Sequence, residues 1–327
     1  MQEQRATGGF LRVQGGVLRS AAAFLCWFAI LMLGVWAVAA GPARAQSPDG
    51  GTDAALRAKY AALRQGLATS GFGRPLVLES RQASGALEGD LYAVVDFPLG
   101  TIGGELKSAG RWCDVLILHL NVKYCRASVS DGAPVLTMYV ATRWDQPLSS
   151  AHHVHYRLRV LVETADYLRI QLAAETGPFG TKDFRIMLEA IPLEGGQSFI
   201  RMTYAYAFGA LARIATETYL ATAGRGKVGF TVLERHASGA PVYVGGMRGL
   251  VERNSMRYFL AVESYLGALS ARPQEQLDKR LRDWFTATER YPRQLRELDE
   301  AQYLTMKHQE YQRQHTGVGA PAPPASR

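Results

Sequence analysis

The sequence predicts an α+β fold: a curved antiparallel sheet holding one long helix, with additional helices at the C-terminal end. Three observations predict it. Five segments between Val135 and Phe208 alternate apolar and polar residues with a period of two. The stretch from Gly249 to Leu269 instead repeats its apolar residues every 3.6 positions, at Val251, Tyr258, Val262, Tyr265 and Leu269. A strand pair and a Gly-interrupted helical connection precede the alternating region, so the sheet is built before the long helix arrives.

The chain begins with Arg5, Arg12 and Arg19, then an uncharged run from Ala21 to Ala40, then Ala43-Arg44-Ala45. A basic start, an apolar core and an A-x-A site describe a secretory signal peptide over 1–45. The apolar run is also long enough to act as an uncleaved anchor. Both alternatives put the remainder outside the cytoplasm, either free in the periplasm or tethered to the inner membrane. Without residues 1–45 the chain carries 33 basic and 28 acidic residues, dispersed along its length. That pattern gives no footprint for nucleic acid, while a basic face would suit a membrane surface. Cys113 and Cys125 are the cysteines left after the leader, and in an oxidising compartment they are expected to form one disulfide.

A linker and first helix occupy 46–75, with Leu56, Tyr60, Leu63 and Leu67 on one helical face. Strands are expected at Leu76 to Ser80 and Asp90 to Phe97, with Ser84-Gly85 and Glu88-Gly89 supplying turns. Leu99 to Cys113 reads as a helical connection, Val115 to Leu120 is ambiguous, and Val122 to Ala127 is extended. In the meander, Val154, Tyr156, Leu158, Val160 and Val162 share one face of their strand. On the last strand Ile200, Met202, Tyr204, Tyr206 and Phe208 oppose Arg201, Thr203, Ala205 and Ala207. Leu211 to Leu220 is a short helix, and Lys227 to Leu233 and Pro241 to Val244 are two more strands. In the long helix, Glu252, Arg253, Arg257, Glu263 and Ser264 fall mainly between the apolar positions. Two helices follow, Pro273 to Tyr291 and Arg293 to Gln314, then a Pro/Ala/Gly tail over 317–327.

A strand pair, a helical connection, a long antiparallel meander and a strand, Val242-Tyr243-Val244, that runs through glycines into a long helix: this order resembles the START-like (SRPBCC) superfamily, the helix-grip fold. The resemblance covers roughly 76–271 and leaves 272–316 as a helical extension. It implies a cavity between sheet and helix for a hydrophobic small molecule or lipid. The residues expected to line it are Met202, Tyr204, Tyr206 and Phe208 from the sheet, with Tyr258 and Val262 from the helix. The bulky row from Tyr204 to Phe208 fits a polar-tipped cavity or a simply filled core.

No catalytic or cofactor signature accompanies this pattern. His153 and His155 share a strand face with Arg157 and Arg159, which would repel a metal cation. Gly245-Gly246-Met247-Arg248-Gly249 lacks a phosphate-loop spacing and reads as a turn into the helix, with Arg248 best placed if an anion binds. Asp90, Asp96, Glu105 and Glu252 have no evident acid-base partner. The leading expectation is an exported, non-catalytic binding or transport protein for a hydrophobic, lipid-like ligand. The alternatives are an enzyme using the same cavity and an envelope protein that binds a partner through its C-terminal helices.

Overall fold

A computed structural model describes residues 52–222 and 226–320. The expected leader and the end of the tail lie outside the described residues. Among the described residues no helix is long and apolar enough to cross a membrane.

One eight-stranded antiparallel sheet organises the molecule, in the order β1-β2-β8-β7-β6-β5-β4-β3. Helix α1 (Asp53–Ala68) precedes it, N-capped by the Thr52 hydroxyl, which accepts from Ala55 N. Strands β1 (Leu76–Ala83) and β2 (Ala86–Val95) form a hairpin. The chain then crosses the sheet through α2 (Leu99–Leu106) and α3 (Ala109–Leu116) and reaches the opposite edge at β3 (Val122–Ser130). From there β4 (Ala133–Val140), β5 (His152–Glu163), β6 (Leu168–Thr176), β7 (Thr181–Pro192) and β8 (Ser198–Phe208) meander back until β8 pairs with β2. The Cys113–Cys125 disulfide ties α3 to β3 across a Cα–Cα distance of 5.2 Å.

The long helix, α5 (Gly246–Gly267), lies on the inner face over β1, β2 and β8. Helix α2 covers β6 and β7, and α3 covers β3 and β4. The architecture is therefore the helix-grip arrangement, with the sheet apolar inside as the alternation requires. A bulge between Val160 and Val162 breaks the expected five-residue face on β5. It turns Val162 towards the outer face, where it meets Leu193 and the residues under α1, and leaves Val160 41% exposed. An extra residue in one strand reverses the pleat, a feature the alternation itself does not reveal.

The outer face is not simply solvated. Leu56 and Leu67 of α1 are buried there with Tyr92, Tyr167, Ile191 and Phe199, and Tyr60 meets the Phe199 ring. Beside them Arg201 donates to Asp90 at 2.9 Å and to Glu189 at 3.2 Å, and Tyr167 donates to Glu189 at 2.5 Å.

Strands β9 (Val232–Arg235) and β10 (Pro241–Tyr243) follow α4 (Ala210–Ala221) and form a separate two-stranded sheet. They are held to α5 by Glu252, which is fully buried. It accepts from Phe230 N at 2.5 Å, Thr231 N at 2.9 Å and Thr231 Oγ1 at 2.6 Å. The approach is close enough to require glycine: a Cβ on Gly229 would sit 2.5 Å from Glu252 Oε2 and 2.9 Å from Gly249 Cα.

The C-terminal helices are α6 (Gln276–Glu289), α7 (Pro292–Leu295) and α8 (Glu300–Thr316). The single helix expected from Arg293 to Gln314 is broken at 296–299, where Asp299 starts α8 with a capping box to Gln302. Leu281, Trp284, Leu295 and Tyr303 join the same core as the sheet. On α8 the fully buried Lys307 donates to the carbonyls of His119 and Val122 and to Glu310. Glu310 also accepts from the buried Lys123 at 2.8 Å. A buried carboxylate between two ammonium groups thus fastens α8 to the start of β3.

Candidate functional site

Helix α5 meets the sheet in two ways along its length. In its C-terminal half Phe259, Val262 and Leu266 press on Val95, Leu188 and Ile200 and leave only about 10 Å³, too little for more than a single water. In its N-terminal half it stands away from β7 and β8, and a cavity of about 180 Å³ remains. Helical spacing aims Leu250, Arg253, Asn254 and Arg257 at this cavity from α5. Phe184, Tyr204 and Tyr206 form the sheet wall, Pro178 and Thr216 one side, and Asn121, Thr142 and Glu297 the other.

The aromatic wall is ordered: Phe184 stacks on Tyr206 at 5.0 Å with planes 13° apart, and Tyr204 lies 5.8 Å from Tyr206. Burial pushes the Tyr204 and Tyr206 phenols above their ordinary range, so both stay protonated.

The helix wall is cationic. Arg253 and Arg257 are 1% and 3% exposed. Arg257 donates to Glu297 at 2.7 Å and to the Leu295 carbonyl at 3.1 Å. Lys227 holds the other Glu297 oxygen at 2.7 Å. Burial alone would raise the Glu297 carboxyl, but Arg257 and Lys227 overcome it and hold the group below its ordinary value.

Among the described residues, Arg257 Nε and Asn121 Oδ1 are buried atoms of the lining without a hydrogen-bond partner. His119, in the layer beneath, hydrogen-bonds with the Asn254 side chain. His119 Nδ1 accepts from Asn121 N at 3.1 Å. Burial, helped by the charges of Arg257 and Lys307, pushes His119 well below its ordinary pKa, so the ring is neutral. A neutral ring that accepts at Nδ1 carries its proton on Nε2. Unpaired buried polar atoms are uncommon in folded proteins, and those of Arg257 and Asn121 face the same cavity.

The six side chains expected from the sequence to line a cavity are divided by the structure. Tyr204 and Tyr206 line it. Tyr258 is one layer back, its ring 5.3 Å from that of Tyr204 and 4.9 Å from His119. Met202 and Phe208 are buried in the sheet face, and Val262 lies in the filled half of α5. The sequence reading missed Arg253, Asn254 and Arg257 because they fall between the apolar positions of α5. Val228 reaches Arg253, His119 and Tyr204 meet Asn254, and the 295–297 segment covers Arg257, so these residues are inside.

The other candidates are occupied in the fold. Asp90 takes Arg201 and Thr203, Asp96 accepts from Gln197 at 2.6 Å, and Glu105 accepts from Tyr265 at 2.6 Å. Arg248 donates to Ser80 at 2.7 Å, and Gly246 makes the turn into α5 at φ +61°. His153 lies 4.2 Å from the Tyr139 ring and His155 pairs with Thr137 at 3.1 Å. Trp284 and Tyr303 stack at 4.9 Å within the core, and Tyr291 and Tyr311 pack against it.

No protein-family model matches the chain, and no curated protein matches it. Among solved structures, human StAR-related lipid transfer protein 5 is similar at 12% identity and a TM-score of 0.30, over 52% of this chain and 87% of that one. Truncated norcoclaurine synthase from Thalictrum flavum is similar at 15% identity and a TM-score of 0.30, over 44% and 89%. Ara h 8.0201 is similar at 10% identity and a TM-score of 0.28, over 43% and 92%. At these scores the matches add no weight; the helix-grip arrangement stands on the strand order and the seat of α5.

Proposed function

We propose that this protein is exported and binds a small hydrophobic molecule between α5 and the sheet, without transforming it. The observation that carries the reading is the 180 Å³ cavity between Tyr204 and Tyr206 on one side and Leu250 and Asn254 on the other. Ligand sites combine apolar and aromatic walls with a few placed polar groups, and this lining does so. Its volume favours one ring or a short chain over a two-tailed lipid, because a dry cavity of about 150 Å³ holds a benzene-sized molecule. Export is supported by the signal-peptide pattern over 1–45 and by the disulfide between Cys113 and Cys125. The aromatic residues of α6 and α8 are used in the core, which favours the cavity over the C-terminal helices as the functional surface.

Native mass spectrometry of protein purified without detergent tests the reading. A small organic molecule should be retained at one per chain and released on unfolding. A chain that is always empty, and that no added aromatic compound shifts in mass, contradicts it.

A further inference from the structure

We propose that the ligand is a single-ring aromatic carboxylate, held with its ring against Phe184, Tyr204 and Tyr206 and its carboxylate at Arg257 and Asn254. This inference rests on the cavity being a ligand site and adds the charge and shape of what enters it.

Three features argue for an anion. Glu297 is shared by Arg257 and Lys227, so one carboxylate faces two cations that both contact it at 2.7 Å. A single negative charge is divided between the buried Arg257 and the part-exposed Lys227, so the pair of cations is only partly neutralised. Second, Arg257 is 3% exposed and its Nε–H has no acceptor, although its Nη2 has two. A guanidinium presents several donors in one plane, and a carboxylate is the group that takes an unused one with a charge-assisted bond. Third, Arg253 lies one helical turn before Arg257 and lines the same cavity, so a second guanidinium raises the local potential. Asn254, between them, supplies an amide that can donate to the same oxygens.

The rest of the lining argues for a ring. Phe184 and Tyr206 stack on one another with planes 13° apart, and a planar ligand can extend that stack on an outer ring face. A volume of about 180 Å³ admits one ring with a short substituent. Asn121 Oδ1 is an acceptor without a partner, and it would take a hydroxyl or amine carried by that ring.

Calorimetric titration of the full chain with benzoate and with benzamide tests the charge directly, since the two differ little in shape. Benzoate should bind at least about ten-fold more tightly at neutral pH, the excess being the charge-assisted contact. In Arg257→Gln the preference should shrink to less than about three-fold. The wild-type comparison needs no variant to fold. Equal affinities, or a preference for benzamide, overturn the carboxylate while leaving the cavity reading in place. If neither compound nor a neutral ring such as benzyl alcohol binds, the cavity reading falls with it.

Discussion

The two halves of α5 lie on the same sheet, yet one is filled with apolar side chains and the other is open and lined by polar and charged ones. At Phe259, Val262 and Leu266 the space against the sheet is about 10 Å³. At Leu250, Arg253, Asn254 and Arg257 it is about 180 Å³, and unpaired polar atoms are found there. The difference teaches where stability and function divide. Dense apolar contact anchors the helix at its C-terminal end, which allows the N-terminal half to carry buried charge without losing its place. Burying two arginines is expensive, and the filled half supplies part of what offsets it.

The largest effect should come from the filled half. Phe259→Ala removes a fully buried ring and should cost about 3–5 kcal/mol in denaturant unfolding. A cost below about 1 kcal/mol would show that this half is not the anchor.

A second effect concerns how the C-terminal helices hold the wall of the cavity. Burial pulls the Lys307 ammonium down to about 8, against the pull of Glu310 in the other direction. An unfolded lysine titrates near 10.4, so between about pH 8 and pH 10 the unfolded chain binds more protons than the folded one. Stability should therefore rise with pH across that window, by up to about 3 kcal/mol for this group. In Lys307→Met the rise should be absent, which melting curves at pH 8, 9 and 10 will show. A parallel rise in both proteins would assign the effect elsewhere.

The smallest effect should come from the open half. Tyr206→Phe removes a hydroxyl from the cavity wall and should change stability by less than about 1 kcal/mol, because the stacked ring against Phe184 remains. A loss as large as that of Phe259→Ala would erase the distinction between the halves.

Much of the architecture was legible in the sequence. The alternation from Val135 to Phe208 placed β4 to β8, the 3.6-residue period placed α5, and the two cysteines beyond the expected leader pointed to the disulfide. Tyr204 and Tyr206 line the cavity because their strand face lies under the covering helix. Three things were not legible. The bulge at Val160 to Val162 leaves the residue types unchanged while reversing the pleat. The separation of β9 and β10 from the main sheet depends on Glu252 and on the glycines at 229 and 249, contacts between segments far apart in the chain. The burial of Arg253 and Arg257 depends on the segments around Val228 and Leu295 to Glu297 closing over α5, which a position between apolar residues does not reveal. A helical period reports which residues share a face; it does not report how many faces are covered.

The most direct test of the central claim is a nuclear magnetic resonance titration of the labelled protein with benzoate, with benzyl alcohol as the neutral counterpart. Shifts should concentrate at Phe184, Tyr204, Tyr206, Asn254 and Arg257 and be absent at Phe259, Val262 and Leu266. Shifts centred on the Val262 end, or none anywhere on α5 with either compound, would contradict the account.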